Sequence, residues 1–254
     1  MYLCVYLALY SGVKKIEVYQ IYFNEQSKAN CFPEWKHYDN SGKLTEYFEN
    51  SVIVDLINKG AHKNSEYFAV FSHDIKKEII FKESISTDLK YKFGPQELET
   101  VITKFYPDTD WFAFEKRRKQ KNIVTQAERY HPGFIAAMEI ILKETGFMEK
   151  IPVALPKIVL FNHFIAKSDL YEQYVKELLI PAMEVMKGMP ELFDDARYIR
   201  RGNVPHGKTM PDNWTEHFKR AFGVPHYPYH PFICERLPSV FLSKYSKIKF
   251  RHIF

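Results

Sequence analysis

The chain has 254 residues, 46% of them hydrophobic and 26% charged, and a formal net charge of +5. This composition is ordinary for a globular protein, and the length suits one mixed α/β domain with a substantial core. The positive charge is too diffuse to indicate a nucleic-acid binder, but it suits anionic small molecules or an anionic membrane surface. Three widely spaced cysteines fit neither a zinc motif nor a disulfide framework, which favours a reducing compartment.

The two ends of the chain differ from the rest. Residues 1–11 are nearly all apolar, but this segment is shorter than the roughly 20 residues that span a bilayer, and it lacks the basic start of a signal peptide. We expect residues 1–13 to form an N-terminal extension or an extra strand, followed by one domain over residues 14–245. Residues 246–254 are predicted to be a basic tail, which could rest on an anionic membrane, form a surface strand or be a frayed end.

Strand and helix signals alternate over the first two-thirds of the chain. Aromatic and β-branched runs predict strands at 15–23, 66–72, 105–114 and 156–166. Apolar periodicity and the residues that end helices predict helices at 44–59, 94–103, 134–144, 170–186 and 234–244. Residues 31–42 are predicted to be a loop. The pattern predicts an α/β fold with a mostly parallel central sheet and a loop-rich, helical C-terminal part.

Two carboxylates interrupt an apolar, strand-like segment. Asp108 and Asp110 flank a single residue, so in an extended backbone their side chains point the same way. If both are buried, each raises the pKa of the other unless a cation lies between them. A divalent cation that holds a diphosphate would satisfy both acids, and oxygen ligands suit Mg²⁺ or Mn²⁺. The alternative is a polar turn after Pro107, with both acids in water.

A second polar cluster precedes the helix predicted at 134–144. It contains Gln126, Glu128 and His131. His131 could ligate a metal or accept a proton near neutral pH, and the N-terminus of a helix favours anions such as phosphate. In the alternative interpretation, Glu128 and His131 only cap the helix.

Polar residues also occur in two other apolar runs. The amide of Asn162, next to His163, could bond to neighbouring backbone or to sugar hydroxyls. Ser72, His73 and Asp74 could line the same cleft, because ligands gather at the carboxyl ends of parallel strands. The adjacent Ser72, His73 and Asp74 do not indicate a hydrolase, since the chain has no Gly-x-Ser-x-Gly elbow. Walker and dinucleotide fingerprints are absent as well.

Seven short segments occur in a fixed order along the chain. They are VYQIYFNEQSK (18–28), HYDNSG (37–42), EYFAVFSHDIKKE (66–78), DTDWFAF (108–114), QAERYHPGF (126–134), LFNHFIAK (160–167) and HPFICERL (230–237). Together they resemble a group of bacterial and phage glycosyltransferases of the GT-A type from polysaccharide-synthesis loci. The resemblance covers residues 15–245 and implies a single GT-A-like, Rossmann-like domain that uses a nucleotide-sugar donor.

The resemblance implies where the donor binds. The nucleotide-sugar is expected over the first strand, around Tyr19, Gln20 and Tyr22. Asp108 and Asp110 match the acidic signature that holds the metal, Mn²⁺ or Mg²⁺, and the diphosphate, and Asp110 is included among the catalytic residues.

It also implies which residues surround the sugar. Glu128 and His131 match the segment beside the donor sugar, where either could act as the general base of an inverting reaction. His131 is placed first because of its pKa, and it is also expected to ligate the metal. Asn162 matches the segment that faces the acceptor, and Glu235 and Arg236 could hold the active-site loops by a buried ion pair.

The implied protein is a cytoplasmic, metal-dependent glycosyltransferase with a glycan or lipid-linked acceptor. With a lipid-linked acceptor it could be peripheral at the inner face of the membrane.

Three other classes of protein are compatible with the sequence. The chain could be a catalytically inactive nucleotide-sugar or glycan-binding protein of the same fold, or a structural protein whose aromatic residues form a partner surface. A nuclease that uses the two aspartates is weaker, since no third acid lies suitably near in sequence.

Overall fold

The computed structural model describes residues 16–42, 46–73, 75, 95–114, 122–160, 162–194 and 228–253. The prediction for residues 1–13 lies outside these ranges, as does Asp74. Within them, the central sheet has six strands: β1 (Ile16–Tyr22), β2 (Lys36–Asp39), β3 (Tyr67–Ser72), β4 (Trp111–Ala113), β5 (Phe164–Lys167) and β6 (Phe250–His252). The predicted α/β fold class is confirmed, and the arrangement is compatible with a Rossmann-like fold.

The strands lie in the order β2-β1-β3-β5-β4-β6. β1 is parallel to both of its neighbours, β2 and β3, and β4 is parallel to β6. β5 runs antiparallel to both β3 and β4. The sheet is therefore mostly parallel, as predicted, and β4 points in the same direction as β3.

In the described part of the chain, α-helices cover the sheet. They are α1 (Glu25–Lys28), α2 (Glu49–Asn58), α3 (Pro95–Thr100), α4 (Ile123–Tyr130), α5 (Phe134–Glu144), α6 (Ser168–Tyr174), α7 (Ile180–Lys187), α8 (Glu191–Asp194), α9 (His230–Cys234) and α10 (Leu237–Lys244). A π-helical turn, Val175–Leu179, joins α6 to α7, so the helix predicted at 170–186 is confirmed. No helix in the described ranges has both the length and the apolar character needed to cross a membrane.

The sheet separates two hydrophobic cores. Side chains of a strand alternate between its two faces, and β3 is buried along its whole apolar length. Phe68 faces the larger core, where the Trp111 ring stacks on Phe164 with centroids 4.5 Å apart. Phe71 faces the smaller core together with Phe112. Burying such a ring contributes about 2–3 kcal/mol to the stability of the fold, so these aromatic residues hold the strands between their covering layers.

Several predicted strands are shorter in the structure, and one strand was missed. The strand signals at 105–114 and 156–166 shrink to β4 and β5, since irregular backbone takes up the rest. Residues 36–39 were predicted to be part of a loop but form β2, an edge strand with mostly exposed side chains. The sequence of β2 carries little strand signal, and its extended form comes from the backbone ladder with β1.

The last residues of the chain belong to the sheet. The backbone carbonyl of Lys249 accepts from the N–H groups of Asp110 and Trp111, and the N–H of Ile253 donates to the carbonyl of Ala113. Ile248 and Ile253 are both buried. The predicted boundary at residue 245 therefore falls before the last strand of the sheet.

Deleting residues 247–254 is expected to lower the free energy of unfolding by about 3 kcal/mol or more. The deletion removes two buried isoleucines, each worth about 1.5–3 kcal/mol, and the ladder of β6 on β4. Urea unfolding followed by circular dichroism measures the change. Lys247→Gln, which removes an exposed charge and leaves the strand intact, is the control and should unfold like the wild type. A deletion variant as stable as the wild type would show that β6 adds nothing to the fold.

Candidate functional site

The sheet has two chemically different edges. The first, which we call the carboxyl edge, is where β1, β2 and β3 end and β5 begins. It includes Phe23, His73 and His163. We call amino edge the opposite one, where β3 and β4 begin and β5 ends; it includes Asp110 and Lys167. The candidate residues from the sequence are distributed over both edges.

Asp108 and Asp110 lie at the amino edge, directly before β4. Asp108 is exposed. The Asp110 carboxylate accepts from the ammonium of Lys167 at 2.8 Å and from the backbone N–H of Lys249 at 2.8 Å. Burial acts to raise the pKa of Asp110, but the hydrogen bonds from Lys167 and Lys249 outweigh it, and the pKa lies below its ordinary value. Asp110 therefore fastens β4 to β5 and to the segment that leads into β6.

The two acids do not fit the metal site expected of them. A lysine ammonium and a backbone amide already satisfy Asp110, and Asp108 lies in solvent. Within the described ranges, which include His131, no three histidine, cysteine or acidic side chains converge on one point where a metal ion could bind. The structure does not bring Asp108, Asp110 and His131 together. The polar-turn alternative describes Asp108 better.

Gln20 organises the carboxyl edge from within the fold. Its side chain is fully buried, and its carbonyl oxygen accepts from the N–H of Phe32 at 2.8 Å. Its amide nitrogen donates to the backbone carbonyls of Ser72 and His73, at 3.3 and 3.4 Å. Gln20 thus fixes the loop after β1 against the end of β3. Gln20 therefore positions the backbone at this edge, and both groups of its amide are engaged within the fold and not with a nucleotide-sugar.

An exposed aromatic side chain stands at the same edge. Phe23 follows β1, is 50% exposed, and meets the ring of His73 edge-on with centroids 4.9 Å apart. Tyr22 lies beside it, with the ammonium of Lys28 5.4 Å from the centre of its ring. Tyr19 is turned toward Phe68 and the larger core. The edge therefore presents an aromatic surface with a cation close by.

Glu128 serves as a helix cap. Its two carboxylate oxygens accept from the N–H groups of Gly133 and Ile135, at 2.8 and 2.9 Å, in the first turn of α5. A carboxylate at the N-terminus of a helix satisfies backbone donors and interacts favourably with the helix dipole. The capping interpretation is the one that the geometry bears out.

His131 is buried and neutral. Its ring stacks on Phe232 with centroids 3.6 Å apart, and its backbone carbonyl accepts from the hydroxyl of Tyr229. Burial, together with the charge of Arg236, lowers the pKa of His131 to about 3. The expectation of a histidine that titrates near neutral pH was therefore wrong. So weakly basic an imidazole is poorly matched to removing a proton at pH 7.

Two further candidates from the sequence lie in buried surroundings. Asn162 precedes β5 at the carboxyl edge and donates from its amide to the Asn50 side chain at 3.2 Å. Arg236 is buried, lies 3.6 Å from Glu235, and donates to the carbonyl of Phe232 and the side chain of Gln126. The predicted pairing of Glu235 with Arg236 is present, and the hydrogen bonds of Arg236 to Phe232 and Gln126 tie α9 to α4.

Comparison of the chain with protein-family models, with curated proteins and with solved structures gave no significant match.

The carboxyl edge brings together two residues whose contact the sequence did not predict. Phe23 and His73 meet there although 50 positions separate them in the chain, and only the parallel pairing of β1 with β3 reveals their contact. A sequence signal for Phe23 does exist. It is the aromatic residue that directly follows a predicted strand, where ligands of parallel sheets bind.

Asp110→Asn should lower the free energy of unfolding by about 1 kcal/mol at pH 7, because it removes a partly exposed ion pair with Lys167. The folded-state pKa of Asp110 is depressed, so its contribution is present above about pH 4 and disappears as the pH falls through the folded value. Urea unfolding at pH 7 and pH 3 should show the difference shrinking. Asp108→Asn is the exposed control. An equal loss at both pH values would contradict a role for the charge.

Proposed function

We propose that this protein is a glycosyltransferase of the GT-A type that binds its nucleotide-sugar donor at the carboxyl edge of β1 and β3. The observation that carries the proposal is the strand order β2-β1-β3. The chain runs from β1 to β2 on one side of β1 and then crosses to β3 on the other side, so the two connections run in opposite directions across the sheet. Such a switch point opens a crevice outside the carboxyl ends of the strands, where parallel α/β sheets bind nucleotides.

The side chains at this edge suit the parts of a nucleotide-sugar. The half-exposed ring of Phe23 offers a face on which a nucleobase can stack. The ammonium of Lys28 lies next to the adjacent Tyr22 and could exchange its exposed partner, the Glu25 carboxylate at 3.7 Å, for a phosphate. The order of the seven sequence segments adds support, since they resemble enzymes of polysaccharide synthesis. The proposed acceptor is a glycan or a lipid-linked sugar on the cytoplasmic side of the membrane.

A metal ion and a general base would need residues other than Asp108, Asp110, Glu128 and His131. Asp108 and Asp110 lie at the opposite edge and do not fit a metal site, so the proposed reaction does not use them. Glu128 and His131 hold α5 and α9 in place. The chain's own contribution at the described edge is therefore to bind and orient the donor.

These assignments also favour a second candidate function, a nucleotide-sugar or glycan-binding protein of the same fold without turnover. Within the described ranges, Asp110, Glu128 and His131 each serve the fold. Incubation with a panel of nucleotide-sugars, with and without Mn²⁺, separates the two functions. Release of the nucleoside diphosphate supports the enzyme, and binding without release supports the binding protein.

The donor site itself is tested by Phe23→Ala. If the nucleobase stacks on this ring, the variant should bind the preferred nucleoside diphosphate about tenfold more weakly, because such stacking is worth roughly 1–3 kcal/mol. Isothermal titration calorimetry with a panel of nucleoside diphosphates gives the affinities.

Phe105→Ala is the matched control, because Phe105 is also highly exposed but precedes β4 at the amino edge. It should leave the affinity unchanged. Equal effects of the two substitutions, or wild-type protein that binds none of the nucleotides, would refute the proposed site.

A further inference from the structure

Within the described ranges, two residues other than glycine have a strained backbone, and the side chain of Asn50 connects them. Phe48 has φ 51° and Asn162 has φ 54°, in the left-handed region that L-residues rarely adopt. Asn50, which lies two residues after Phe48 in the first turn of α2, makes a hydrogen bond to Asn162. Strain of this kind persists only where the surrounding structure enforces it, and it concentrates at binding sites.

The hydrogen bonds of Asn50 fix the orientation of both amides. The Asn50 nitrogen donates to the carbonyl of Tyr47, so its oxygen faces Asn162. That oxygen accepts from the Asn162 nitrogen at 3.2 Å. The Asn162 oxygen must then point away from Asn50. It is buried and has no hydrogen-bond partner in the described part of the chain.

A second buried polar atom without a partner lies beside the same turn. The ring of His230 packs against Tyr47 and Phe48, with centroids 5.1 and 5.8 Å apart, and is 1% exposed. Its Nδ1 atom has no hydrogen-bond partner within the described ranges. Burial lowers the pKa of His230 to about 4, so at neutral pH the ring is uncharged and offers one donor and one acceptor.

From this geometry we propose that Asn162 and His230, held by the turn from Tyr47 to Asn50, form a polar subsite that binds a sugar through its hydroxyl groups. A hydroxyl can donate to the Asn162 oxygen and can either donate to or accept from the imidazole of His230. Buried polar groups are costly to leave unpaired, so a ligand that supplies these bonds gains affinity. Asn162 lies at the carboxyl edge, where the proposed donor binds.

The inference rests on the proposed function for its choice of ligand, and Asn162→Gly tests it. Glycine adopts a positive φ without strain, and the substitution removes the unpaired oxygen. The substitution also removes the donor to the buried Asn50 oxygen, a loss that destabilises the fold, so the midpoint of thermal unfolding should fall by a few degrees. The affinity for the nucleotide-sugar should fall roughly three- to tenfold, while the affinity for the matching nucleoside diphosphate should not change.

Asn122→Ala is the matched control. The Asn122 side chain accepts from the N–H groups of Val124 and Thr125 and donates to the carbonyl of Val153, so its amide is fully used in the fold. This variant should lower the unfolding midpoint and leave both affinities unchanged. If Asn162→Gly lowers the unfolding midpoint but leaves the affinity for the nucleotide-sugar unchanged, Asn162 is structural and the inference is overturned.

A panel of free monosaccharides, followed by saturation-transfer NMR, separates this inference from the proposed function. If the wild type binds a monosaccharide and Asn162→Gly does not, the subsite stands even where no nucleoside diphosphate binds. If the wild type binds nucleoside diphosphates but Asn162→Gly leaves every sugar affinity unchanged, the donor site stands and the subsite is wrong.

Discussion

The parallel pairing of β1 with β3 is the interaction on which the rest of the structure depends. It runs in continuous register from Ile16 opposite Tyr67 to Ile21 opposite Ser72. Because the two strands end together, the loops that follow them are brought side by side, and the buried amide of Gln20 fixes that arrangement with bonds to both. A parallel ladder needs apolar cover on both faces, and the cores on either side of β3 provide it. The carboxyl edge is thus a direct consequence of how the sheet is held.

Charged and polar side chains inside the molecule mostly serve to join elements. Asp110 with Lys167 joins strands at the amino edge, and Glu128 caps a helix. Each of these groups is stabilised by a specific partner, which offsets the cost of removing charge from water. Asn162 is different, because it combines a strained backbone with an unpaired oxygen, and its neighbour Asn50 is itself held in place. A residue with a strained backbone and a buried oxygen that no described group pairs is the better candidate for a binding role.

The sequence predicted the parts of the fold that local pattern determines. β1, β3 and the helix from α6 to α7 follow from runs of apolar residues and their periodicity. β2 was not predicted, because its mostly exposed residues form a strand only through pairing with β1. For the segment that contains β6, a surface strand was one of the alternatives, and its pairing with β4 decides between them. The aspartates at 108 and 110 were over-interpreted for a related reason. Their spacing places both on one face only in an extended backbone, whereas Asp108 lies in a turn. The spacing also does not say at which edge of the sheet they lie or that a lysine from β5 would pair with one of them. The contact of Phe23 with His73 likewise depends on strand order.

The central claim is that a nucleotide binds where β1 and β3 end. Backbone amide NMR spectra recorded during titration with the preferred nucleoside diphosphate test it most directly. The account predicts that the largest shifts occur at Phe23, Asn24 and His73, while Asp110 and Lys167 at the amino edge do not move. Shifts centred on Asp110 and Lys167, with the carboxyl edge unaffected, would contradict the account and return the site to the paired aspartates.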